Sequence, residues 1–468
     1  MKLLVVSIAP IYKDHVQGGS QKILVDVLRH VSRSHEVRLF CTSREDNCRK
    51  FTLAKNLTVH PFLRFRPHFP FPYMTNPRHL KEIISLLCRE ALWADCVYIH
   101  ADGFFFKHFL RLLGKPLITS LHDYVYPISI TSSFLAEMDK VIVPSQYVKD
   151  CIAHSVGGLF HGYMDRVVVV ENGVDSGLMS RDSGNRDVIR KKLGLKKTDF
   201  AMLFPHRPED VKGVFEAIEL LASLRRSALP AKLLFLKHFD VKTNSDLRGI
   251  YAGIEAAVAK KGLKDSVIFH DWILSGNMRG IYSASDVTLN LGQFIESFGL
   301  VPIESALCET PVIAASVGCL RDNLAGLPGI FLTDYGDIRA AHGACENIYS
   351  SPPEMRATRE HMRKQFSFKD MLAGYCDEFE KTRVEKPLSI DMESVVACLK
   401  DEKFYRLAPW CCVSKAGIYD DYAGQVRPVP GRRLSLFSKA VFPKSGEKWF
   451  RNLIDMQCVV PAGGPEPA

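Results

Sequence analysis

Short apolar runs alternate with segments of helical periodicity along the first part of the chain. One apolar stripe at helical spacing is formed by Ile23, Leu24, Val27, Leu28 and Val31. The apolar runs themselves are nearly continuous in Val, Ile and Leu, which is typical of parallel strands covered on both faces. We expect strands at Lys2–Ala9, Glu36–Cys41, Leu57–Phe62, Cys96–His100, Pro116–Leu121, Lys140–Pro144 and Val167–Val170. The pattern predicts a doubly wound, Rossmann-like α/β domain over residues 1–178.

The same alternation of apolar runs and helical segments resumes after a polar stretch at residues 180–199, which we interpret as a linker with a short helix. It predicts a second Rossmann-like domain over residues 190–365 and a final helix within residues 366–386. The second set of strands is expected at Phe200–Phe204, Lys232–Leu236, Ser266–Phe269, Asp286–Leu291, Thr310–Ala315 and Gly329–Leu332.

Beyond Pro387 the alternation stops. Residues Met392–Lys400 have a helical pattern, and Arg406–Ser414 with Ile418–Tyr422 have the pattern of a hairpin. We therefore expect a small α+β appendage at residues 387–468, for which a winged-helix-like arrangement is one option and whose role the sequence does not reveal.

Composition and charge narrow the classes of function. The 468 residues are too many for one core, and the net charge of +9 is scattered rather than gathered in the basic stripe of a nucleic-acid binder. This charge weakly favours phosphorylated ligands or an anionic membrane surface. No apolar run approaches the roughly 18 residues of a membrane span. The 13 cysteines show no C-x-x-C spacing. We therefore expect the thiols to be reduced and the protein to be cytoplasmic. Association of the protein with the cytoplasmic face of a membrane is a further option.

The stretch from Glu296 to Glu304, Glu-Ser-Phe-Gly-Leu-Val-Pro-Ile-Glu, carries the strongest chemical signal. A predicted strand leads into it, a helix leaves it, and another strand follows at Thr310. This layout leaves backbone N–H groups at a helix N-terminus, where they can bind phosphate. A carboxylate beside a bound diphosphate would be repelled, so its natural partners are hydroxyl groups, which donate to it. Amides for phosphate and carboxylates for hydroxyls together suit a nucleotide sugar.

These residues resemble the signature of the retaining glycosyltransferases of family four, which have the GT-B fold with two domains facing across a cleft. The match includes the following Ser-Ala-Leu-x-x-x-Pro-Val-Ile-Ala, and the resemblance covers about residues 1–383. It implies that Glu296 contacts hydroxyls of the transferred sugar and that Glu304 contacts the ribose. It also implies that Ser297, Phe298, Gly299 and Leu300 line the donor site, with the amides of residues 298–300 at the diphosphate.

The resemblance extends to other positions. Arg207 and Lys212 match the arginine and lysine that grip the donor diphosphate, and two exposed cations at a helix start are the alternative. His122 matches a histidine that contacts the donor sugar, although a lone histidine is often structural; His100 is a less specific candidate. The pair Gly18 and Gly19 matches the family's N-terminal glycines, which let the backbone approach a phosphate or the acceptor, and a plain loop would look the same. Trp272 lies where the family binds the base, with a core or rim residue as an equal alternative.

Three positions depart from the family pattern. His206 stands where the family usually has glycine, and Gly292-Gln-Phe-Ile stands where Pro-Ser-x-x is common. Glu309 stands where a small residue usually ends the helix. If that residue has positive φ, glutamate there costs about 1 kcal/mol or more.

The resemblance implies a retaining glycosyltransferase of the hexosyltransferase type, acting in the biosynthesis of cell-surface glycans or glycoconjugates. Its expected partners are a UDP- or GDP-linked sugar and a glycan, lipid-linked or small-molecule acceptor, without nucleic acid. No cofactor and no metal are expected, because the cations neutralise the leaving group. Two alternatives stay open: a non-catalytic subunit that binds nucleotide sugars or glycans, and a nucleotide-sugar epimerase of the same fold.

Overall fold

A computed structural model describes residues 1–16, 18–65, 75–101, 107–237, 245–271, 273, 277–397 and 402–462. The chain divides into two compact units. Residues 1–173 with residues from 369 onward form one, here called the N-terminal unit, and residues 174–368 form the other, here called the central unit.

An eight-stranded sheet is the centre of the N-terminal unit, with strand order β3-β4-β2-β1-β5-β6-β7-β8. All its neighbouring strands are parallel except β3, which pairs antiparallel with β4 at one edge. The central strands are buried on both faces, as their apolar composition predicts. The strands are β1 (Lys2–Ser7), β2 (Glu36–Thr42), β3 (Phe51–Ala54), β4 (Leu57–Leu63), β5 (Cys96–His100), β6 (Leu117–Ser120), β7 (Lys140–Val143) and β8 (Val167–Val169).

Helices cover this sheet. Every residue of the predicted apolar stripe from Ile23 to Val31 is buried, which confirms the helical periodicity read from the sequence. The second helix begins with a complete start signal, since the Asn76 side chain accepts a hydrogen bond from the His79 N–H at 2.9 Å and Pro77 occupies the first turn. The helices are α1 (Gly19–Val31), α2 (Pro77–Trp93), α3 (Lys107–Arg111), α4 (Pro127–Ser133) and α5 (Gln146–Ala153).

The central unit contains a six-stranded sheet of order β11-β10-β9-β12-β13-β14, in which all neighbours are parallel. Its strands are β9 (Phe200–Phe204), β10 (Ala231–Leu236), β11 (Val267–His270), β12 (Val287–Asn290), β13 (Val312–Ala315) and β14 (Ile330–Thr333). Its helices are α6 (Arg186–Lys192), α7 (Val214–Arg226), α8 (Ser245–Lys260), α9 (Met278–Ala284), α10 (Leu300–Leu307), α11 (Leu320–Leu324), α12 (Ile338–Ser350) and α13 (Arg356–Gln365). The polar stretch predicted to be a linker contains α6, which Arg190 anchors to Asp286 at 3.1 Å.

The chain then returns to the N-terminal unit through α14 (Phe368–Lys381), whose Tyr375 and Phe379 pack near Tyr98 of β5. The appendage follows with α15 (Met392–Ala397), β15 (Phe404–Leu407), β16 (Cys411–Ser414), β17 (Gly417–Asp420), β18 (Gln425–Pro428), β19 (Phe442–Pro443), α16 (Lys448–Asp455) and β20 (Val459–Pro461). Two three-stranded antiparallel sheets, β19-β15-β20 and β16-β17-β18, share one apolar core.

The predicted fold class is confirmed: two parallel-sheet, Rossmann-like domains precede a small α+β appendage. Every strand predicted for the two domains is present to within two residues at each end, whereas the short antiparallel β3 was missed. The predicted hairpin is β16 and β17, but Arg406 and Leu407 belong to the separate strand β15. Among the residues that the structure describes, no helix has the length and apolar character needed to cross a membrane.

Candidate active site

In the central unit the site is built where β9 and β12 end, because loops at the carboxyl ends of parallel strands meet at one edge of a sheet. After β9 the chain makes a short 3₁₀ helix, Asp210–Lys212, and after β12 it passes through Gly292. A Cβ on Gly292 would lie only 2.3 Å from the Lys212 carbonyl carbon. A Cβ on Gly213 would lie 2.4 Å from the Gly292 nitrogen. The two loops therefore touch backbone to backbone, and only glycine permits it.

This close approach brings two of the predicted residues together. The Lys212 Nζ lies 2.9 Å from the Glu296 Oε1, and both side chains are largely buried, at 13% and 14% exposed. The same ammonium lies 3.4 Å from the centre of the Phe294 ring, within range of a cation–π interaction. The lysine is thus held at a defined place by a carboxylate and an aromatic face.

The backbone of Glu296 is fixed from the opposite side as well. The Cys319 N–H donates to the Glu296 carbonyl at 2.9 Å. A Cβ on Gly318, which has φ of 54°, would lie 2.3 Å from that carbonyl oxygen. The loop from 292 to 296 is consequently clamped between two neighbouring loops, which limits the movement of the glutamate.

The N-terminus of α10 follows directly. Gly299 precedes it with φ of 85°, and a Cβ there would lie 2.3 Å from Leu320 Cδ2. Its first turn, which begins at Leu300, is entirely apolar, so no carboxylate competes for the positive end of the helix. Ser297 and Phe298 are buried, and the Phe298 carbonyl accepts a hydrogen bond from Asn323 Nδ2 at 3.0 Å.

Glu304 lies in α10 and is 9% exposed. Its Oε2 accepts a hydrogen bond from the fully buried Tyr282 hydroxyl at 3.0 Å. Burial and the neighbouring carboxylate raise the pKa of Tyr282 well above its ordinary value, so the tyrosine stays a donor. Contact between Glu304 and a ribose remains a prediction.

Two further residues, Arg207 and Trp272, were predicted for the donor site. Arg207 is on the loop after β9, with its side chain 47% exposed and its Nε 3.2 Å from Glu209 Oε1. Trp272 lies outside the described residues. The ion pair of Lys212 and Glu296, just before α10, joins two of the predicted donor-site residues directly.

The N-terminal unit contains a second polar cluster. Gly18, with φ of 94°, leads into α1 at Gly19. Ser20 follows Gly19. The Ser20 Oγ lies 2.9 Å and the Ser20 carbonyl oxygen 3.0 Å from the Nε2 of His100, which is at the end of β5. A carbonyl can only accept, so this nitrogen carries the proton. The glycine turn and His100 are thereby joined.

The same cluster reaches His122, just after β6. The rings of His100 and His122 lie 4.4 Å apart, and the Tyr375 hydroxyl of α14 lies 3.4 Å from the His122 Nε2. The Tyr98 hydroxyl lies 2.9 Å from both the His100 Nδ1 and the Ser120 Oγ. Six side chains, from β5, β6, the loop after β6, α1 and α14, therefore form one largely buried polar group.

Both histidines of this cluster are neutral at pH 7. Burial lowers the pKa of His122 to about 4. Burial, followed by the proximity of His122, places the pKa of His100 well below its ordinary value. Neutral imidazoles can exchange hydrogen bonds with hydroxyl groups without adding charge.

Both Rossmann-like domains match models of known protein families. Residues 17–178 match the family model described as Glycosyltransferase Family 4, and residues 185–365 match that of Glycosyl transferases group 1. The D-inositol 3-phosphate glycosyltransferase of Acidothermus cellulolyticus is 28% identical over 339 residues, which span 66% of this chain and 74% of that protein. Its counterpart from Salinispora arenicola is 33% identical over 171 residues, 35% of this chain and 38% of that protein.

The chain belongs to glycosyltransferase family four.

Solved structures agree with this glycosyltransferase in fold. Sucrose-phosphate synthase from Thermosynechococcus elongatus superposes with a TM-score of 0.69 at 17% identity, over 81% of this chain and 98% of that one. Alr3699/HepE from Anabaena, in complex with UDP and glucose, superposes with a TM-score of 0.64 at 17% identity, over 81% and 100%.

The three departures from the family pattern have physical explanations in this glycosyltransferase. Gly292 replaces proline where the Lys212 backbone leaves no space for any side chain. His206 is buried, with its Nε2 3.1 Å from the Leu289 carbonyl. Burial and then the charge of Lys212 lower its pKa to about 3, so it adds no charge. Glu309 has φ of 55°, and its carboxylate pairs with Arg181 at 3.3 Å and Arg359 at 3.4 Å, which offsets part of the strain.

Several residues that organise the two clusters were not predicted from the sequence of this glycosyltransferase. They are the close-approach glycines, the buried tyrosines and the serine beside the first glycine pair: Gly213, Gly292, Gly318, Tyr98, Tyr282, Tyr375 and Ser20. Of these residues, Gly213 could have been predicted from the sequence. It directly follows Lys212, and a glycine next to a predicted phosphate-binding lysine suggests a constrained backbone.

Proposed function

We propose that this glycosyltransferase transfers a hexose from a nucleotide sugar to an acceptor hydroxyl with retention of configuration. The observation that carries the proposal is the ion pair of Lys212 and Glu296, 2.9 Å apart, immediately before the N-terminus of α10. An ammonium and a helix N-terminus together favour a diphosphate. A carboxylate beside them favours sugar hydroxyls.

The donor that we would test first is a UDP-hexose. Structures of HepE contain UDP and UDP-glucose, and the trehalose-phosphate synthase of Burkholderia vietnamiensis is named as UDP-forming. These proteins share the fold of the present chain, which makes UDP a reasonable choice over GDP. In this proposal Glu304 accepts hydrogen bonds from the ribose, and Trp272 lies beside the base.

Retention follows in this proposal from attack on the same face from which the diphosphate leaves. The departing phosphate oxygen takes the proton of the acceptor hydroxyl, so no additional base is needed. Lys212, Arg207 and the amides of residues 298–300, at the start of α10, stabilise the negative charge that grows on the diphosphate as the glycosidic bond stretches. Because these cations neutralise the leaving group, we expect no metal or cofactor requirement, and transfer should survive treatment with EDTA.

The acceptor is proposed to meet the N-terminal unit near Gly18 and Gly19. The D-inositol 3-phosphate glycosyltransferase of Acidothermus cellulolyticus matches 66% of this chain, so a phosphorylated polyol is the first acceptor to test. The neutral cluster around His122 suits hydroxyl groups. Lipid-linked and glycan acceptors should be tested next. If one of them is the acceptor, we propose a role in glycoconjugate biosynthesis at the cytoplasmic face of a membrane.

The deciding experiment is incubation of the full chain with radiolabelled UDP-glucose, with and without D-inositol 3-phosphate. We expect labelled product with acceptor, slow release of glucose without it, and loss of both in Glu296→Ala. Product analysis by NMR should show the donor's anomeric configuration. A protein that binds UDP without transfer or hydrolysis for any donor would contradict the proposal, and a new nucleotide sugar formed without acceptor would indicate epimerisation.

Membrane association is tested separately. The protein should sediment with anionic vesicles at low salt and be released at high salt if the net charge of +9 mediates it.

A further inference from the structure

The turn between β17 and β18 in the appendage has a rigid, self-hydrogen-bonded structure. The Asp420 Oδ1 accepts hydrogen bonds from the N–H groups of Tyr422 at 3.1 Å and Ala423 at 3.2 Å. The Gly424 N–H donates to the Asp420 carbonyl at 2.9 Å, and Gly424 has φ of 62°. The Arg427 Nη2 lies 3.5 Å from the second carboxylate oxygen of Asp420. This local bonding orders the two residues at the tip, Asp421 and Tyr422.

Both tip residues bind the Rossmann-like domain of the same unit. The Tyr147 hydroxyl, on α5, donates to the Asp421 Oδ2 at 2.8 Å, and both residues are buried. The Tyr422 hydroxyl donates to the Tyr124 carbonyl at 2.7 Å. The Tyr422 residue is 41% exposed as a whole, but desolvation of its hydroxyl end raises the pKa of the phenol, which keeps it a donor. The turn therefore adds two specific side-chain hydrogen bonds to those that residues 389 and 391, at the start of the appendage, already make with the first domain.

Tyr124 lies on the segment that leaves His122 and enters α4. Its own hydroxyl lies 2.9 Å from Ser155 Oγ and 3.3 Å from Ser133 Oγ, so its side chain is held by the domain. Its carbonyl, in contrast, is bonded by the appendage. The position of the backbone two residues after His122 thus depends on a part of the chain that lies outside both family matches.

We propose that the appendage is a positioning element of the acceptor side of the enzyme, and that Tyr422 is its positioning residue. Tyr422 fixes the Tyr124 carbonyl, and through it the path of the chain between His122 and α4. This inference rests on the proposed function, because it assigns the appendage to the same reaction. The alternative role, a docking module for another protein, does not use this surface of the appendage, since the turn at Asp421 and Tyr422 contacts the enzyme's own first domain.

The test compares Tyr422→Phe with Met456→Gln, an exposed position of the same appendage, at 51% exposed. Phenylalanine retains the ring and removes only the hydroxyl. We expect Tyr422→Phe to speed hydrogen–deuterium exchange of residues 123–136 and to lower transfer by roughly three- to tenfold, the worth of one neutral hydrogen bond. The loss should appear as a higher KM for the acceptor or a lower kcat. UDP binding, measured by calorimetry, should stay unchanged. It serves as the control, because a general loss of stability would weaken UDP binding too.

The outcomes separate the two proposals. Wild-type transfer with unchanged exchange and unchanged kinetics in Tyr422→Phe would overturn the positioning role alone. A wild-type protein that transfers no sugar to any acceptor would overturn the proposed function and this inference with it. If Tyr422→Phe does not fold, Tyr147→Phe provides the second variant, since it removes the neighbouring hydrogen bond from the first domain to the same turn and is expected to give the same pattern.

Discussion

The polar clusters of the two units differ in what holds them together. In the central unit a lysine and a glutamate of opposite charge are placed by glycine loops that touch backbone to backbone. In the N-terminal unit neutral histidines, tyrosines and serines are joined by side-chain hydrogen bonds and burial. A charged cluster responds strongly to negative charge developing on a ligand, whereas a neutral one orients hydroxyls with little electrostatic effect. In the proposed reaction the first cluster would therefore meet the leaving diphosphate and the second would meet hydroxyl groups.

The largest expected effect is the loss of the cation in the central unit. Lys212→Ala should lower transfer by about 10²–10³-fold, because in the proposed reaction it removes a group that stabilises developing negative charge, and it leaves Glu296 without this ion pair. Steady-state transfer from UDP-glucose measures it. The matched control is Lys261→Ala, whose Nζ pairs with Glu219 at 2.6 Å on the surface of the same unit and which should stay near wild-type activity. Equal losses in both variants would contradict the comparison.

The backbone contact that places this lysine is tested next. Gly292→Ala should lower the free energy of unfolding by about 2–4 kcal/mol and reduce transfer, because the new methyl group would overlap the Lys212 backbone. Urea denaturation measures the first effect. Gly343→Ala is the control: it lies in α12 with nothing within 4 Å of the added Cβ, so it should be neutral or stabilising. A Gly292→Ala protein of wild-type stability would show that the two loops can separate freely.

The buried histidines predict a loss of stability in acid. His206 has its pKa lowered to about 3, against an ordinary value of 6.5, so between these values the unfolded chain binds more protons. Stability is thus fully present above about pH 6.5 and falls as the pH drops toward 3. One such histidine contributes a loss of about 2 kcal/mol between pH 7 and pH 5.

His206→Gln should make the central unit less sensitive to acid by about that amount, because glutamine can donate to the Leu289 carbonyl without titrating. The measurement is urea denaturation at pH 7 and pH 5. His122, lowered to about 4, should keep its own contribution in this variant. An unchanged pH dependence in His206→Gln would mean that this histidine does not carry the acid sensitivity of the central unit.

The smallest expected effect is in the neutral cluster. Tyr375→Phe removes the hydroxyl that lies 3.4 Å from the His122 Nε2 and should lower transfer by roughly three- to fivefold, without changing UDP affinity. Acceptor kinetics and calorimetry with UDP measure the two quantities. Tyr349→Phe, on an exposed tyrosine of the central unit, is the control and should match the wild type. A loss as large as that of Lys212→Ala would show that the two clusters are not energetically different.

Much of the fold could be predicted because its signals are local. Strands such as Cys96–His100 and Phe200–Phe204 were placed to the residue by their apolar composition, and the α1 stripe by its spacing. The antiparallel β3 was missed because its four residues are only partly buried and carry no continuous apolar run. The appendage was predicted least well, since two small sheets with strands of two to four residues leave little periodicity to detect.

In the candidate site, too, residues within one short motif could be predicted, whereas contacts between distant residues could not. Glu296, Gly299 and Glu304 belong to one short motif and could be found by reading along the chain. Lys212 pairs with a glutamate 84 residues away, and Tyr375 meets a histidine 253 residues away, so their partners could not be read from sequence spacing. The strain at Glu309 could be anticipated from the family pattern, but its two arginine partners could not.

The sequence by itself determined the alternation of strands and helices and the family signature, because hydrophobic periodicity and a helix start depend on neighbouring residues. Only the tertiary structure decided which loops touch, which histidines are neutral and which carboxylate holds the lysine. Backbone contact through Gly213 and Gly292 and the burial of His100, His122 and His206 arise when distant segments exclude water from one another. Charge state and position are properties of that packing, which no single stretch of the chain contains.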